Sequence, residues 1–468
     1  MSKSSSGLFS QQRSGAQDGR KALLEEAARR ASLYLDGLEE RAVYPEPDAL
    51  AGLDSFDEAL PADPRDPLDT LSLLDTAGSP ATVASANGRY FGFVIGGSLP
   101  APLAANVLAA AWDQNAGLWA ASPIAGKLEA VSLRWLLDLL GLPAEAGGGF
   151  VSGATMANFS GLAAARHALL LQVGWDVEAD GLFGAPPITV VVGEEVHVSL
   201  LKALSLLGFG RARVVRVPVD NQGRMQAQAL PPIAGPTIVC IQAGNVNTGA
   251  FDPAAEICRS AHAAGAWVHV DGAFGLWAAA VPARAQLTAG VSEADSWATD
   301  AHKWLNVPYD SGLVFCRHAS HLRAALTHSP AAYLAEGELR EPMEYTPEMS
   351  RRARGVEVWA ALRSLGRSGL AEMIERGCRH ATRFAGGLSA AGYEILNDVV
   401  LNQVMVSFGS PQRTQQVMRA IQQDGTCWCG GTIWQGKTAM RISVSSWATT
   451  DLDVEQSLEA MLRIAAAV

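Results

Sequence analysis

The chain has 468 residues, of which 49% are hydrophobic and 18% charged, so it can bury a large core and is not a mainly disordered chain. A formal net charge of −11 argues against a general nucleic-acid binder, whose surface carries a basic excess. At ~150 residues per structural unit the length suggests about three of them.

The first stretch, Met1 to Gly19, is rich in Ser, Gln and Gly and lacks an apolar core of the signal-peptide kind, so it reads as a flexible lead-in. Residues 20–42 space Leu23, Leu24, Ala27, Leu33, Leu35 and Leu38 at helical intervals, and Pro45 and Pro47 end the pattern. A second helix is expected over Leu68–Ala77, so residues 1–85 form a helical arm with too little core of its own. The uncharged stretch Tyr90–Trp112 is long enough to raise the question of a membrane span. Gly92, Gly96, Gly97, Pro100 and Pro102 interrupt it, and a cytoplasmic protein is expected.

From about residue 86 short β-branched runs alternate with Ala- and Leu-rich helical stretches. Strands are predicted at Ile188–Val192, Val214–Val217, Thr237–Ile241, Trp267–Val270, Ser296–Thr299 and Gly312–Cys316, with helices such as Ala157–Leu171 and Pro253–Ala264 between them. This is the α/β pattern of a mostly parallel sheet, and it defines a large domain over 86–348. A smaller α+β domain over 349–468 follows, with helices at Val356–Leu365, Leu370–Ala390 and Val454–Ala467 and strands at Gln403–Phe408 and Met440–Val444.

Six cysteines are too few for a disulfide scaffold and fit a reducing compartment. Cys240, Cys258, Cys316 and Cys378 stand singly among apolar neighbours and read as buried thiols. Cys427 and Cys429 are spaced C-x-C with no second pair and no nearby His, which is not a zinc spacing, so no metal site is expected.

Ligands of parallel sheets sit at the carboxyl ends of the strands. The turn Phe150–Asn158 places small residues before a long helix whose first N–H groups favour an anion. Asp271 directly follows a buried strand and must be paired, either with a structural Arg or with the protonated heterocycle of a cofactor. Ala273 offers a small flat surface beside it. Lys303, in Asp300-Ala301-His302-Lys303-Trp304, is a candidate amine nucleophile toward an aldehyde. His197 follows the strand Ile188–Val192. An anion cradle, an acid for a ring nitrogen, a flat-faced His and an amine together make up a site for pyridoxal phosphate.

With these elements in place, the chain resembles the pyridoxal-phosphate-dependent amino acid decarboxylases of the aromatic amino acid and glutamate decarboxylase group, which have the aspartate aminotransferase fold (fold type I). The motifs that carry the resemblance are Asp113-Gln114-Asn115-Ala116-Gly117, His269-Val270-Asp271-Gly272-Ala273, Asp300-Ala301-His302-Lys303-Trp304 and Met440-Arg441-Ile442-Ser443-Val444-Ser445. The resemblance implies that Lys303 forms the Schiff base, Asp271 binds the pyridinium nitrogen, and His197 stacks on the ring with Ala273 on its other face. Ala154 and Thr155 match the phosphate-binding turn, with Asp300 and His302 close to the cofactor. Asn245 stands where relatives often have Thr near the ring hydroxyl. Arg441 matches an Arg that binds the substrate carboxylate in glutamate decarboxylases, and Arg354 matches another family Arg.

Two segments depart from the family pattern. The loop that in many relatives carries a proton-donating Tyr is short here; Tyr345 is the candidate donor and Tyr333 better matches the loop's start. Some relatives without that donor make aldehydes. The segment Phe93–Gly96, with Trp119 nearby, presents an apolar wall that favours an aromatic or aliphatic substrate over glutamate. Trp428 and Trp434 read as packing residues. The expectation is therefore a homodimeric enzyme, with sites at the subunit interface, that turns an L-amino acid into an amine and carbon dioxide. Alternatives are an aldehyde synthase, an aminotransferase, a carbon–carbon lyase, or a cofactor-binding regulatory protein without turnover.

Overall fold

A computed structural model describes residues 5–327 and 340–468. The large sheet contains β1 (Gly147–Val151), β2 (Thr189–Gly193), β3 (Val215–Val217), β4 (Thr237–Gln242), β5 (Trp267–Asp271), β6 (Ser296–Asp300) and β7 (Gly312–Cys316). Their order is β1-β7-β6-β5-β4-β2-β3, and β7 alone runs against its two neighbours. The strands from β3 to β6 pair in parallel through registers such as Gln242 opposite Asp271 and Asp271 opposite Ala298. Their carboxyl ends therefore meet along one edge.

The central strands are buried on both faces, which is why they read as continuous apolar runs. On one face the helices Ala154–Gln172 and Val198–Leu206 pack with Val190, Val192, Ile238 and Val314. On the other, Ala254–Ala263 and the first part of Gly355–Ala390 pack with Val239, Val268 and Trp297. β1 has no such apolar run. Its Gly147, Gly148 and Gly149 have low strand propensity, but the strand is crowded: a Cβ on Gly148 would meet Val314 O at 2.7 Å and the Leu133 side chain at 2.9 Å.

A second sheet holds β8 (Glu394–Ile395), β9 (Gln403–Ser407), β10 (Gly430–Trp434) and β11 (Lys437–Ser443) in the order β10-β11-β9-β8, all antiparallel. The two helices expected over 356–390 occupy the span Gly355–Ala390 and are separated by a break at Gly366, whose φ of 60° suits glycine. The segment after Arg89 lies against this sheet: the Phe91 N–H donates to Trp428 O, and the Ser443 N–H donates to Phe91 O.

The amino-terminal stretch differs from expectation. It is helical from Ser5 to Asp36 rather than beginning near residue 20. Gln11, Gln12, Arg13, Ala16 and Gln17 are strong helix formers and no proline interrupts them. The next expected helix spans Pro67–Leu73, capped by the Asp66 side chain, and continues as a wider turn over Leu74–Gly78. Among the described residues no helix is long and apolar enough to cross a membrane. All six cysteines are buried and free.

Candidate active site

Four strand ends deliver the side chains. Lys303 lies in the short helix Ala301–Trp304 directly after β6, and its Nζ is 3.0 Å from Asp300 Oδ2. The other oxygen of Asp300 accepts a 2.5 Å hydrogen bond from the backbone N–H of Ala154. That N–H opens the 19-residue helix Ala154–Gln172, so the buried carboxylate faces both an ammonium and the positive end of a helix. Thr155 is the next residue and is half-buried.

His302 Nδ1 accepts from the Ser311 N–H at 3.1 Å, which leaves the proton on Nε2, 3.5 Å from Asp300 Oδ1. Its ring stacks on Tyr309 with centroids 4.3 Å apart, and burial pulls its pKa below the ordinary value. His197 caps the helix Val198–Leu206, its Nδ1 accepting from the Ser199 N–H at 3.3 Å and lying 2.7 Å from the Ser199 hydroxyl. Its Nε2 is therefore the protonated nitrogen. Burial lowers the pKa of His197; Lys303 and Arg441 act in the same direction, and Asp271 and Asp300 oppose them. His197 is thus a neutral ring near neutral pH.

Asp271 ends β5. Its Oδ2 accepts from Asn158 Nδ2 at 3.2 Å and its Oδ1 from the Ala273 N–H at 3.3 Å. The sequence left open whether this acid pairs with a structural Arg or with a protonated heterocycle. Among the described residues no Lys, Arg or His forms an ion pair with it. A buried carboxylate held only by two neutral donors retains lone pairs for a cationic ring nitrogen. His197, Asp271, Ala273 and Lys303 line one cavity, together with Gln242, Gly244, Val246 and Phe274. An amine, an unpaired acceptor carboxylate, a neutral imidazole and a small methyl face suit pyridoxal phosphate.

Other expected residues lie elsewhere. Asn245 is buried in the turn after β4, where its Oδ1 accepts from the N–H groups of Asn247 and Thr248. Gly244 and Val246, one on either side of it, line the cavity instead. A side chain's direction alternates along an extended segment, so a one-residue difference changes which group faces the ligand. Arg354 pairs with Asp310 at 3.1 Å, beside an Arg352 bound to the same carboxylate. The Trp119 ring packs over Gly126, and its backbone N–H donates to Glu341. The Tyr345 ring lies under the Arg340 guanidinium, 4.3 Å from its centroid, and against Gly147 of β1. It does not line the cavity, because Arg340 and β1 clamp it. Tyr333 lies outside the described residues.

Arg441, on β11, reaches the site from the second sheet. One of its nitrogens donates to Asn247 Oδ1 at 3.1 Å and another to the Phe93 carbonyl at 3.2 Å. Among the described residues it has no carboxylate partner, and burial lowers its pKa to about 10. Phe93 is 62% exposed and stacks on Trp428, which stacks in turn on Tyr90. Phe93 and Val94 both hold positive φ, 58° and 128°, a strained conformation for these residue types. Trp434 is buried as a packing residue. Sequence reasoning passed over Asn158 and the role of His269. The available signal was that His269 lies two residues before Asp271, on the same face of the strand.

Residues 60–409 match the family described as the pyridoxal-dependent decarboxylase conserved domain. The chain is 27% identical over 402 residues to an aromatic-L-amino-acid decarboxylase from Bacillus atrophaeus, covering 81% of this chain and 80% of the relative. It is 29% identical to an L-2,4-diaminobutyrate decarboxylase from Rhizobium meliloti, covering 77% and 74%. Against the rat aromatic-L-amino-acid decarboxylase the identity is 26%, covering 93% and 95%. A solved structure of Oryza sativa TDC with PLP and tryptamine has the same fold, with a TM-score of 0.88 at 23% identity over 96% of this chain and 98% of that one. With a match that spans most of its length, the chain belongs to the pyridoxal-dependent decarboxylase family, as an amino acid decarboxylase with pyridoxal 5′-phosphate as its cofactor.

Proposed function

We propose that this enzyme decarboxylates an L-amino acid with an aromatic or apolar side chain to the corresponding amine and carbon dioxide. The observation that carries the reading is the meeting at one cavity of Lys303, His197 and an Asp271 that has no cationic partner among the described residues. When bound, the cofactor supplies an electron-accepting ring for the pair left as the Cα–carboxylate bond breaks.

Each residue then has a role. Lys303 Nζ is the amine that holds the cofactor's aldehyde carbon, and Asp300, 3.0 Å away, keeps it in place. The Thr155 turn at the start of the helix Ala154–Gln172 would receive the phosphate, with His302 alongside, while the Ala154 N–H stays committed to Asp300. Asp271 accepts the proton-bearing ring nitrogen. His197, its Nδ1 fixed by Ser199, would lie against the cofactor ring and present a protonated Nε2. Arg441 is a half-buried guanidinium without a carboxylate partner among the described residues, so it fits a substrate carboxylate. The stack of Phe93 on Trp428 offers an aromatic surface near that anchor. Lys303, when not holding the cofactor, would be free to move a proton.

The same reading makes the protein a homodimer with an arm over 1–85, a large domain over 86–348 and a small domain over 349–468. The exposure of Val107, Leu108 and Trp112 on the helix Pro100–Trp112 supports a partner there. The names of the relatives, which include aromatic and diaminobutyrate decarboxylases, support the reaction and leave the side chain to be measured.

The test incubates cofactor-loaded protein with pooled L-amino acids and follows carbon dioxide, amine and aldehyde together, with Lys303→Ala as control. Carbon dioxide matched by amine, and lost in the variant, is the expected outcome. Aldehyde in place of amine would move the reading to an aldehyde synthase. Absence of carbon dioxide from a loaded enzyme would overturn it.

A further inference from the structure

Behind Asp271 runs a line of buried polar side chains. The Trp267 indole N–H, which can only donate, is bonded to Ser296 Oγ at 2.9 Å. Ser296 Oγ lies 2.8 Å from His269 Nδ1, and His269 Nε2 lies 2.8 Å from Asn158 Oδ1. Asn158 Nδ2 completes the line at Asp271 Oδ2, 3.2 Å away.

The two ends fix its direction. A carboxylate oxygen accepts, so Asn158 turns its NH2 toward Asp271 and its oxygen toward His269. The amide oxygen has no proton to give, so His269 carries its proton on Nε2. Nδ1 then accepts from the Ser296 hydroxyl, whose lone pair receives the indole N–H. Asn158, His269 and Ser296 are completely buried, and none of the polar side-chain atoms in the line is left without a partner. Burial pushes the His269 pKa down to about 3, so no second proton reverses the line near neutral pH.

The packing makes room for this arrangement. A Cβ on Gly161, in the helix Ala154–Gln172, would come within 2.8 Å of His269 Cε1 and 3.0 Å of its Nδ1. Glycine is unfavourable inside a helix, and here it sits where the imidazole passes beneath.

We propose that Asn158 and His269 are positioning residues for the decarboxylation, holding Asp271 as an unprotonated acceptor through a one-way line of hydrogen bonds anchored at Trp267. The inference rests on the role of Asp271 given above. Protonation of Asp271 at Oδ2 would set its hydroxyl against the Asn158 NH2, donor against donor. The other titratable groups facing Asp271 are His197 after β2, the Cys240 thiol on β4 and Lys303 after β6, and none of them belongs to the line.

The experiment uses the holoenzyme and reads the visible absorbance of the bound cofactor across pH, the cofactor dissociation constant, and kcat and KM separately. Asn158→Asp sets a second carboxylate against Asp271, so that the two acids share a proton. The expected result is an absorbance titration displaced by about one pH unit and a kcat lowered about tenfold or more, with KM within about twofold. His269→Phe removes the donor to Asn158 and is expected to act in the same way. His269→Gln returns an N–H and is expected to recover most of the loss. Asn158→Ala keeps the test readable should Asn158→Asp fail to fold. Folded variants with wild-type absorbance titration and cofactor affinity overturn the proposal. Asp271→Asn separates the two levels: if it alone disturbs the cofactor, the line is wrong and the site stands. If it too leaves the cofactor unchanged, the reading of the site falls and the proposal with it.

Discussion

At the strand ends His197, Asp271 and Lys303 are each tied to protein partners, whereas the corner where the Phe93 segment meets β11 leaves its groups open. Ser199 fixes the His197 tautomer, Asn158 and Ala273 hold Asp271, and Asp300 holds Lys303. At that corner Arg441 bonds, among the described residues, to a neutral amide and a carbonyl, Phe93 faces solvent, and its backbone is strained. The first region keeps one geometry for every substrate, as a fixed reaction demands. The second has binding capacity to spare, which suits a wall that chooses the guest.

Substitutions on each side sharpen this contrast. Lys303→Ala should have the largest effect, lowering turnover by about a thousandfold or more against every substrate, as measured by carbon dioxide release. Arg441→Leu should lower kcat/KM by about ten- to a hundredfold, mainly through KM, because a charge-assisted anchor is lost while the chemistry is intact. Phe93→Ala should change the ratio of kcat/KM between aromatic and small apolar substrates by about tenfold and leave the best kcat nearly unaltered. An equal loss for all substrates would place Phe93 with the fixed machinery instead.

Acid tests the fixed side from beneath. His269 holds a pKa of about 3 against an ordinary 6.5, so below pH 6.5 the unfolded chain takes up a proton that the folded one refuses. Stability therefore falls as pH drops through that window. The melting temperature should decline less steeply between pH 6 and 4 in His269→Gln than in the parent, by about several degrees. The smallest effect is expected for Tyr345→Phe. Arg340 and β1 hold that ring by its face, and among the described residues its hydroxyl has no hydrogen-bond partner, so turnover should stay within about twofold.

Much of this was legible in the chain. Buried parallel strands write themselves as apolar runs, and the residues after those runs included Asp271, Lys303 and His197. β1 was not legible, because its glycines answer to the crowding by Leu133 and Val314 rather than to strand propensity. Nor could the sequence choose between Asn245 and Val246, since side-chain direction in a turn depends on hydrogen bonds formed only on folding. The partnership of Asn158 with His269 joins residues 111 positions apart. It exists because one helix crosses one strand at Gly161, a fact of packing that no local pattern carries.

The contact between Arg441 and Phe93 has a consequence for how such a protein can diversify. Arg441 holds the carbonyl of residue 93, not its ring. The anchor is therefore indifferent to which side chain projects from that position, and a substitution there can alter the guest's surroundings while the tether stays. Gly or Asn would even ease the backbone, since φ is 58°. The Phe93 corner can thus drift by single replacements, with the Arg441 tether kept, over a catalytic floor that stays constant.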